Sequence, residues 1–287
     1  MSISNSAVLT ELNISVWTAN KLDKRATEDV LNTNNATIGS AQVRKNLMAG
    51  TNKRKLIADY AARIRLYHNQ NTLSWSDRGA RLLPTSMFMD YKQTMNVMRD
   101  NFYKMMDDFL GNYDALVANA QLHMGSLFNA DDYPDRDAVA GKFGFKLVFS
   151  PLPESGDFRL DIPAAEIAEL SSSYELQFND RLTDAMREPW ERLHKVLEHM
   201  SERLTDTKDA AGEDIKKKYH DTLITNAQDL CAMLTHLNVT KDPQLEAARR
   251  ALEVTMLGAD IEVIKESPEA RSGMKAKVDE ILGKFNW

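Results

Sequence analysis

Cysteine is almost absent: Cys231 is the single one in 287 residues, so no intramolecular disulfide can form. Its apolar setting, LCAML, suits a buried and inert thiol in a reducing compartment. Long apolar runs are missing too, and none approaches the roughly 20 residues that a membrane span requires. The opening MSISNSAVLTELN has neither the basic start nor the apolar stretch of a secretory signal. These absences predict a cytoplasmic protein with no membrane partner.

The motifs of the common enzyme classes are also missing. There is no GxSxG elbow and no HExxH pair, and Gly141-Lys-Phe-Gly144 enters a strand pattern where a phosphate loop would leave one. Glu191 and His194 make one Glu-x-x-His, but di-iron bundles need two such pairs and further glutamates. His194 reads instead as a flank of an apolar seam. Asp157 and Asp161 are the remaining catalytic candidates, and nothing in the sequence pairs them. The expectation is a non-enzymatic protein without cofactor or metal.

What is present is helical periodicity. Phe88, Tyr91, Met95, Met98, Phe102, Met105 and Phe109 alternate at three and four, a heptad seam. Met186, Trp190, Leu193, Leu197, Met200 and Leu204 form a second, with Pro189 set to kink or restart it. The methionines of the first seam are read as core in preference to an adaptable binding face. Ile57, Tyr60, Ile64 and Tyr67 make an apolar stripe on a helix beginning near Thr51. A helix is also expected over Ser40–Met48, and others at 214–237, 243–257 and 268–285.

The centre changes period. Phe143, Phe145, Leu147 and Phe149 alternate strictly, as do Phe158, Leu160 and Ile162, which predicts a β-hairpin over about 143–162. A lone ribbon is marginal, and the alternating Leu12, Ile14 and Val16 supply a candidate third strand at 12–16. The fold class is therefore mainly α: an elongated multi-helix bundle with a small hairpin. Three regions follow, read as one continuous fold: a basic helical region 1–85, a long-helix bundle with the hairpin over 86–204, and a helical region 205–287.

Charge is distributed unevenly. The chain carries −6 overall, yet between Lys21 and Arg81 twelve Lys and Arg face five acids, a local +7. Such asymmetry suggests a polyanion partner, unless the basic segment pairs internally with the acidic body. The densest constellation is Arg44, Lys45, Lys53, Arg54, Lys55, Arg63 and Arg65, followed by His68, Trp75, Arg78 and Arg81. Cations give sequence-blind affinity for phosphates, and exposed aromatics give bases a stacking surface. With Tyr60 and Tyr67 in the apolar stripe, stacking would fall to Trp75 and His68. These eleven residues are the expected interface for single-stranded nucleic acid, with ssDNA favoured.

Four blocks carry a resemblance: LNISVWT with KLDK (12–24), RLYHNQNTLSWSDRGARLLP (65–84), KFGFKLVFSPLPESGDFRLDI (142–162) and MREPWERLHKVLEHMSE (186–202). Together they are similar to a phage and prophage family known only as a domain of unknown function. The similarity spans most of 12–204 and leaves out the last third. Family members tend to be encoded near a MoxR-like AAA+ ATPase and a von Willebrand A-domain protein. The resemblance implies a phage protein in the host-cell cytoplasm, and it supplies no catalytic residues. It adds an alternative to nucleic-acid binding in transcription or replication beside a phage or host polymerase. In that alternative a helical adaptor docks on a protein machine such as an AAA+ complex, its seams also serving homo-oligomerisation.

Overall fold

The computed structural model of the chain describes residues 3–153, 163–206, 219–285 and 287. Among them run six strands and ten α-helices: β1 (Ala7–Ser15), β2 (Asn20–Leu22), α1 (Lys24–Thr33), β3 (Arg44–Asn46), α2 (Lys53–Gln70), β4 (Leu73–Ser74), β5 (Arg81–Pro84), α3 (Phe88–Gly111), α4 (Tyr113–Met124), α5 (Arg136–Ala140), β6 (Gly144–Pro151), α6 (Ala164–Leu204), α7 (Thr222–Leu237), α8 (Pro243–Met256), α9 (Ile261–Glu266) and α10 (Pro268–Lys284). The mainly helical class is as expected. One antiparallel sheet has the order β4-β5-β1-β6, and β2 and β3 form a separate two-stranded ribbon. The expected hairpin supplies β6, beside the amino-terminal strand as anticipated; its second arm, with Asp157 and Asp161, lies outside the described residues.

The chain divides into two compact units, each drawn from discontinuous stretches where the expected regions ran consecutively. Unit 1 comprises Met1–Glu11, Asn69–Met89 and Phe149–Trp287; unit 2 comprises Leu12–His68 and Asp90–Val148.

In unit 1, Ala7–Thr10 of β1 pair with Pro84–Arg81 of β5, and Leu73 and Ser74 of β4 take β5's other edge at Leu82 and Arg81. Ala7, Leu73, Trp75 and Leu82 are buried there with Ala185 of α6 and Leu237 of α7. The larger core of this unit is helical. Leu193, Leu197, Met200 and Leu204 of α6 pack with Leu230 and Leu234 of α7, Leu245 and Leu252 of α8, and Val278 and Ile281 of α10. The second heptad seam is thus core from Leu193 onward, while Met186 and Trp190 sit half-buried at its edge. Pro189 lies inside α6 on the buried side, and the helix runs through it as one 41-residue element. Aspartates and a serine start the later helices: Asp242 caps α8, Asp260 caps α9, and Ser267 caps α10.

In unit 2, the first seam packs as read, with Tyr91, Met95, Phe102 and Phe109 buried and Met98 and Met105 partly so. Phe109 meets Trp17, Tyr113 and Phe143 at ring separations of 6.3, 6.2 and 6.0 Å. Helix α2 lies antiparallel beside α3: Lys53 Nζ reaches Asp108 Oδ2 at one end, and His68 Nδ1 bonds Tyr91 Oη at the other.

Two expectations in this unit are corrected. The buried stripe of α2 is Ile57, Ala61, Ile64 and His68; Tyr60 and Tyr67 sit half-buried at its margin. A run of spacing 4-3-4 selects a face rotated from the 3-4-3 one, and the small Ala61 had no apolar weight to reveal it. The stretch read as a helix at 40–48 is instead β3, paired with β2 in the register Asn20↔Asn46, Lys21↔Lys45, Leu22↔Arg44. Local propensity there yields to a non-local ladder and to the ion pairs that lock it.

Candidate nucleic-acid interface

Most of the eleven expected contact residues already have partners within the fold. Lys45, whose side chain is only 11% exposed, sits 2.5 Å from Asp132 Oδ2 and 3.3 Å from Asp23 Oδ2, and donates to the Leu127 carbonyl at 3.1 Å. The hydrogen bond that its ammonium donates to Asp132 raises its pKa against the opposing effect of desolvation. Burial pushes Asp132 up, but the bonds from Lys21 and Lys45 outweigh it and hold the carboxylate below its ordinary range. Lys45 is therefore a structural cation. Arg54 donates to the Trp17 carbonyl at 3.3 Å, and Arg65 donates to that of Ile14 at 2.7 Å. Both guanidiniums tie α2 to the segment around the end of β1.

Lys53 pairs with Asp108 at 2.9 Å and Lys55 with Asp59 at 2.8 Å, both on the surface, where such pairs are worth about 0–1 kcal/mol. Arg63 lies over the Tyr60 ring at 5.8 Å. Arg44 is exposed and has no hydrogen bond or ion pair to a described residue, and the same holds for Arg78 of unit 1.

The two expected stackers are not on the surface. His68 is 5% exposed and bonded to Tyr91; Trp75 is 5% exposed, edge-on to Phe178 at 5.3 Å. Strand alternation around β4 turned Trp75 into the unit 1 core, a direction that its loop-like neighbours did not reveal.

Arg81 belongs to an internal network of unit 1. It donates to Thr72 Oγ1 at 2.6 Å and to Glu188 Oε1 at 3.1 Å. Arg192 bonds the same carboxylate at 2.7 Å and also caps the carbonyls of Asn69, Gln70 and Thr72. Ser74 N–H donates to Glu188 Oε2 at 2.7 Å. Burial raises the Glu188 pKa, yet these donors and the two guanidinium charges bring it below the ordinary glutamate value. This node seats α6 against the turn that follows α2.

Dividing the charges by unit sharpens the asymmetry. Unit 2 holds sixteen Lys and Arg against thirteen Asp and Glu, a net +3; unit 1 holds twenty against twenty-nine, a net −9. Within unit 2, the reading of 40–48 as a helix hid a second group of cations. Lys24 and Arg25 open α1 exposed and, like Arg44, without partners among the described residues. The Asp23 amide donates to the Val43 carbonyl at 3.0 Å, which sets this first turn of α1 beside Arg44.

Other candidates resolve into structure. Among the described residues no group of three His, Cys, Asp or Glu side chains could hold a metal ion. His194 faces Glu198 at 3.5 Å and the Trp287 ring at 4.9 Å, while Glu191 turns to Lys195. Burial pushes the Cys231 thiol up to about 11. Among the described residues no helix is long and apolar enough to cross a membrane. Comparisons of the chain with protein-family models, with curated proteins and with solved structures found no match.

Proposed function

We propose that this chain is a non-enzymatic binding protein for single-stranded nucleic acid, ssDNA in the first place, acting through the basic unit 2 as a phage accessory to transcription or replication. The observation that carries the reading is a group of cations in α1, β3 and α2 left over once internal pairing is complete. Lys24, Arg25 and Arg44 are exposed and unpaired among the described residues, and Lys55 and Arg63 are engaged only by their own helix. Phosphates would compete readily with such weak surface contacts. With Trp75 and His68 in the core, affinity rests on charge and little on stacking, so binding is sequence-blind and salt-sensitive. The test is fluorescence polarisation of a labelled 30-nucleotide DNA at low salt. Saturable binding at micromolar protein supports the reading, and a flat titration refutes it.

A second reading has its own observation. At the end of α8 and along α9, Val254, Leu257 and Val263 are exposed, Leu257 to 83%. Isolated exposed apolar residues are ordinary, but three so close in sequence suit a docking contact for a protein machine such as an AAA+ complex. Purification from infected cells after nuclease treatment distinguishes the two: protein partners that survive nuclease favour the adaptor.

A further inference from the structure

We propose that the outer face of the β2–β3 ribbon, and not helix α2, is where a single strand of DNA lies; this rests on the nucleic-acid reading above. The ladder register fixes which side chains share a face, because residues two apart on a strand point the same way and cross-strand partners stand opposite. One face of the ribbon turns toward Asp132. Lys21 and Lys45 stand opposite each other, and both reach Asp132, at 2.7 and 2.5 Å. The other face holds Asn20 opposite Asn46 and Leu22 opposite Arg44, and all four are exposed. The two ion pairs to the buried Asp132 carboxylate thus anchor the inner side and leave the outer side facing outward.

That outer face combines the three contact types a single strand needs. Arg44 supplies a guanidinium, and Lys24 and Arg25 flank it from the first turn of α1, placed there by the Asp23–Val43 backbone bond and by the 3.0 Å bond from Val43 N–H to Thr27 Oγ1. The Asn20 and Asn46 amides offer donors and acceptors to base edges; the Asn46 Oδ1 already accepts from Met48 N–H, leaving its NH2 group. Leu22 gives an apolar surface between them. Of the nearby acids, the Asp23 carboxylate is engaged, capping α1 at Ala26 and pairing with Lys45, while Glu28 and Asp29 stand one turn along α1 on the same faces as Lys24 and Arg25 and reduce the local positive charge.

The experiment uses the full-length chain with dT30 and with an abasic strand of the same length, titrated across a salt series. A single strand releases about 0.7 counterion per phosphate neutralised. The triple variant K24A/R25A/R44A is expected to flatten the slope of log affinity against log salt by about 2. Leu22→Ser is expected to weaken dT30 binding by about threefold to tenfold and to leave the abasic strand unchanged, since only the bases meet the leucine. Far-ultraviolet circular dichroism checks that each variant is folded. If wild type binds and the triple variant keeps its slope while K55A/R63A loses it, the ribbon assignment is overturned and α2 is the surface. If polyglutamate displaces dT30 from wild type as well as unlabelled dT30 does, the face reads charge alone and the base contacts are overturned. If wild type does not bind either strand, the parent reading falls and the ribbon assignment with it.

Discussion

Replacing Glu188 with glutamine tests how unit 1 holds α6. The carboxylate accepts from Arg81 at 3.1 Å, Arg192 at 2.7 Å and the Ser74 amide at 2.7 Å, with its side chain 26% exposed. Hydrogen bonds to a charged partner contribute about 1.5–3 kcal/mol each when dry, and partial exposure reduces that. Glutamine keeps the shape and one acceptor oxygen, so the loss is expected at about 2–3 kcal/mol for the set. Urea unfolding followed by circular dichroism at pH 7 measures it. Asp184→Asn serves as control, because its pair with Arg187 is exposed on both sides and should change stability by under about 0.5 kcal/mol. The pH dependence gives a second readout. Folding depresses the Glu188 pKa, so its contribution is complete above the ordinary value of 4.5 and fades as pH falls below it. Wild type and variant should therefore converge in acid. A Glu188→Gln change no larger than the control, or a gap independent of pH, would refute the network's structural role.

Three more outcomes follow from the geometry. Glu246 is held down to about 2 by Arg249, against burial, with help from Arg250; Glu246→Gln should remove a stabilisation of about 1–2 kcal/mol that wild type keeps above pH 4.5 and loses towards pH 2, read by acid titration of the unfolding midpoint. Gly50 has φ +77°, and a Cβ there would collide with the His123 ring, so Gly50→Ala should lower stability by about 1–2 kcal/mol in thermal melts, with His123 displaced. Cys231, pushed from 9.0 up to about 11, should react with a disulfide reagent at pH 8 about a hundredfold more slowly than in urea-unfolded chain.

Much of the helical frame was legible because long seams repeat one signal many times. Tyr91, Met95, Phe102 and Phe109, and Leu193 through Leu204, are buried as their spacing indicates. Short elements were less legible. The three-residue strand β3 has no period to read, and its partner β2 is more than twenty residues away in sequence. Helix α9, six residues between two longer neighbours, was likewise missed. At the candidate interface, the excess of cations in the first third was visible, but their availability was not. Lys45 and Arg81 are engaged by Asp132 and Glu188, which lie 87 and 107 residues further along the chain. No local pattern connects such partners. The same limit explains Trp75: its burial follows from pairing of β4 with β5, not from its neighbours.

The central claim is that exposed cations of unit 2 hold phosphates, and the salt dependence of ssDNA affinity tests it most directly. On the proposed ribbon face three cations, Lys24, Arg25 and Arg44, are available to do so. With about 0.7 counterion released at each, log affinity against log salt should fall with a slope of about −2. A slope near zero, or no binding at low salt, contradicts the account.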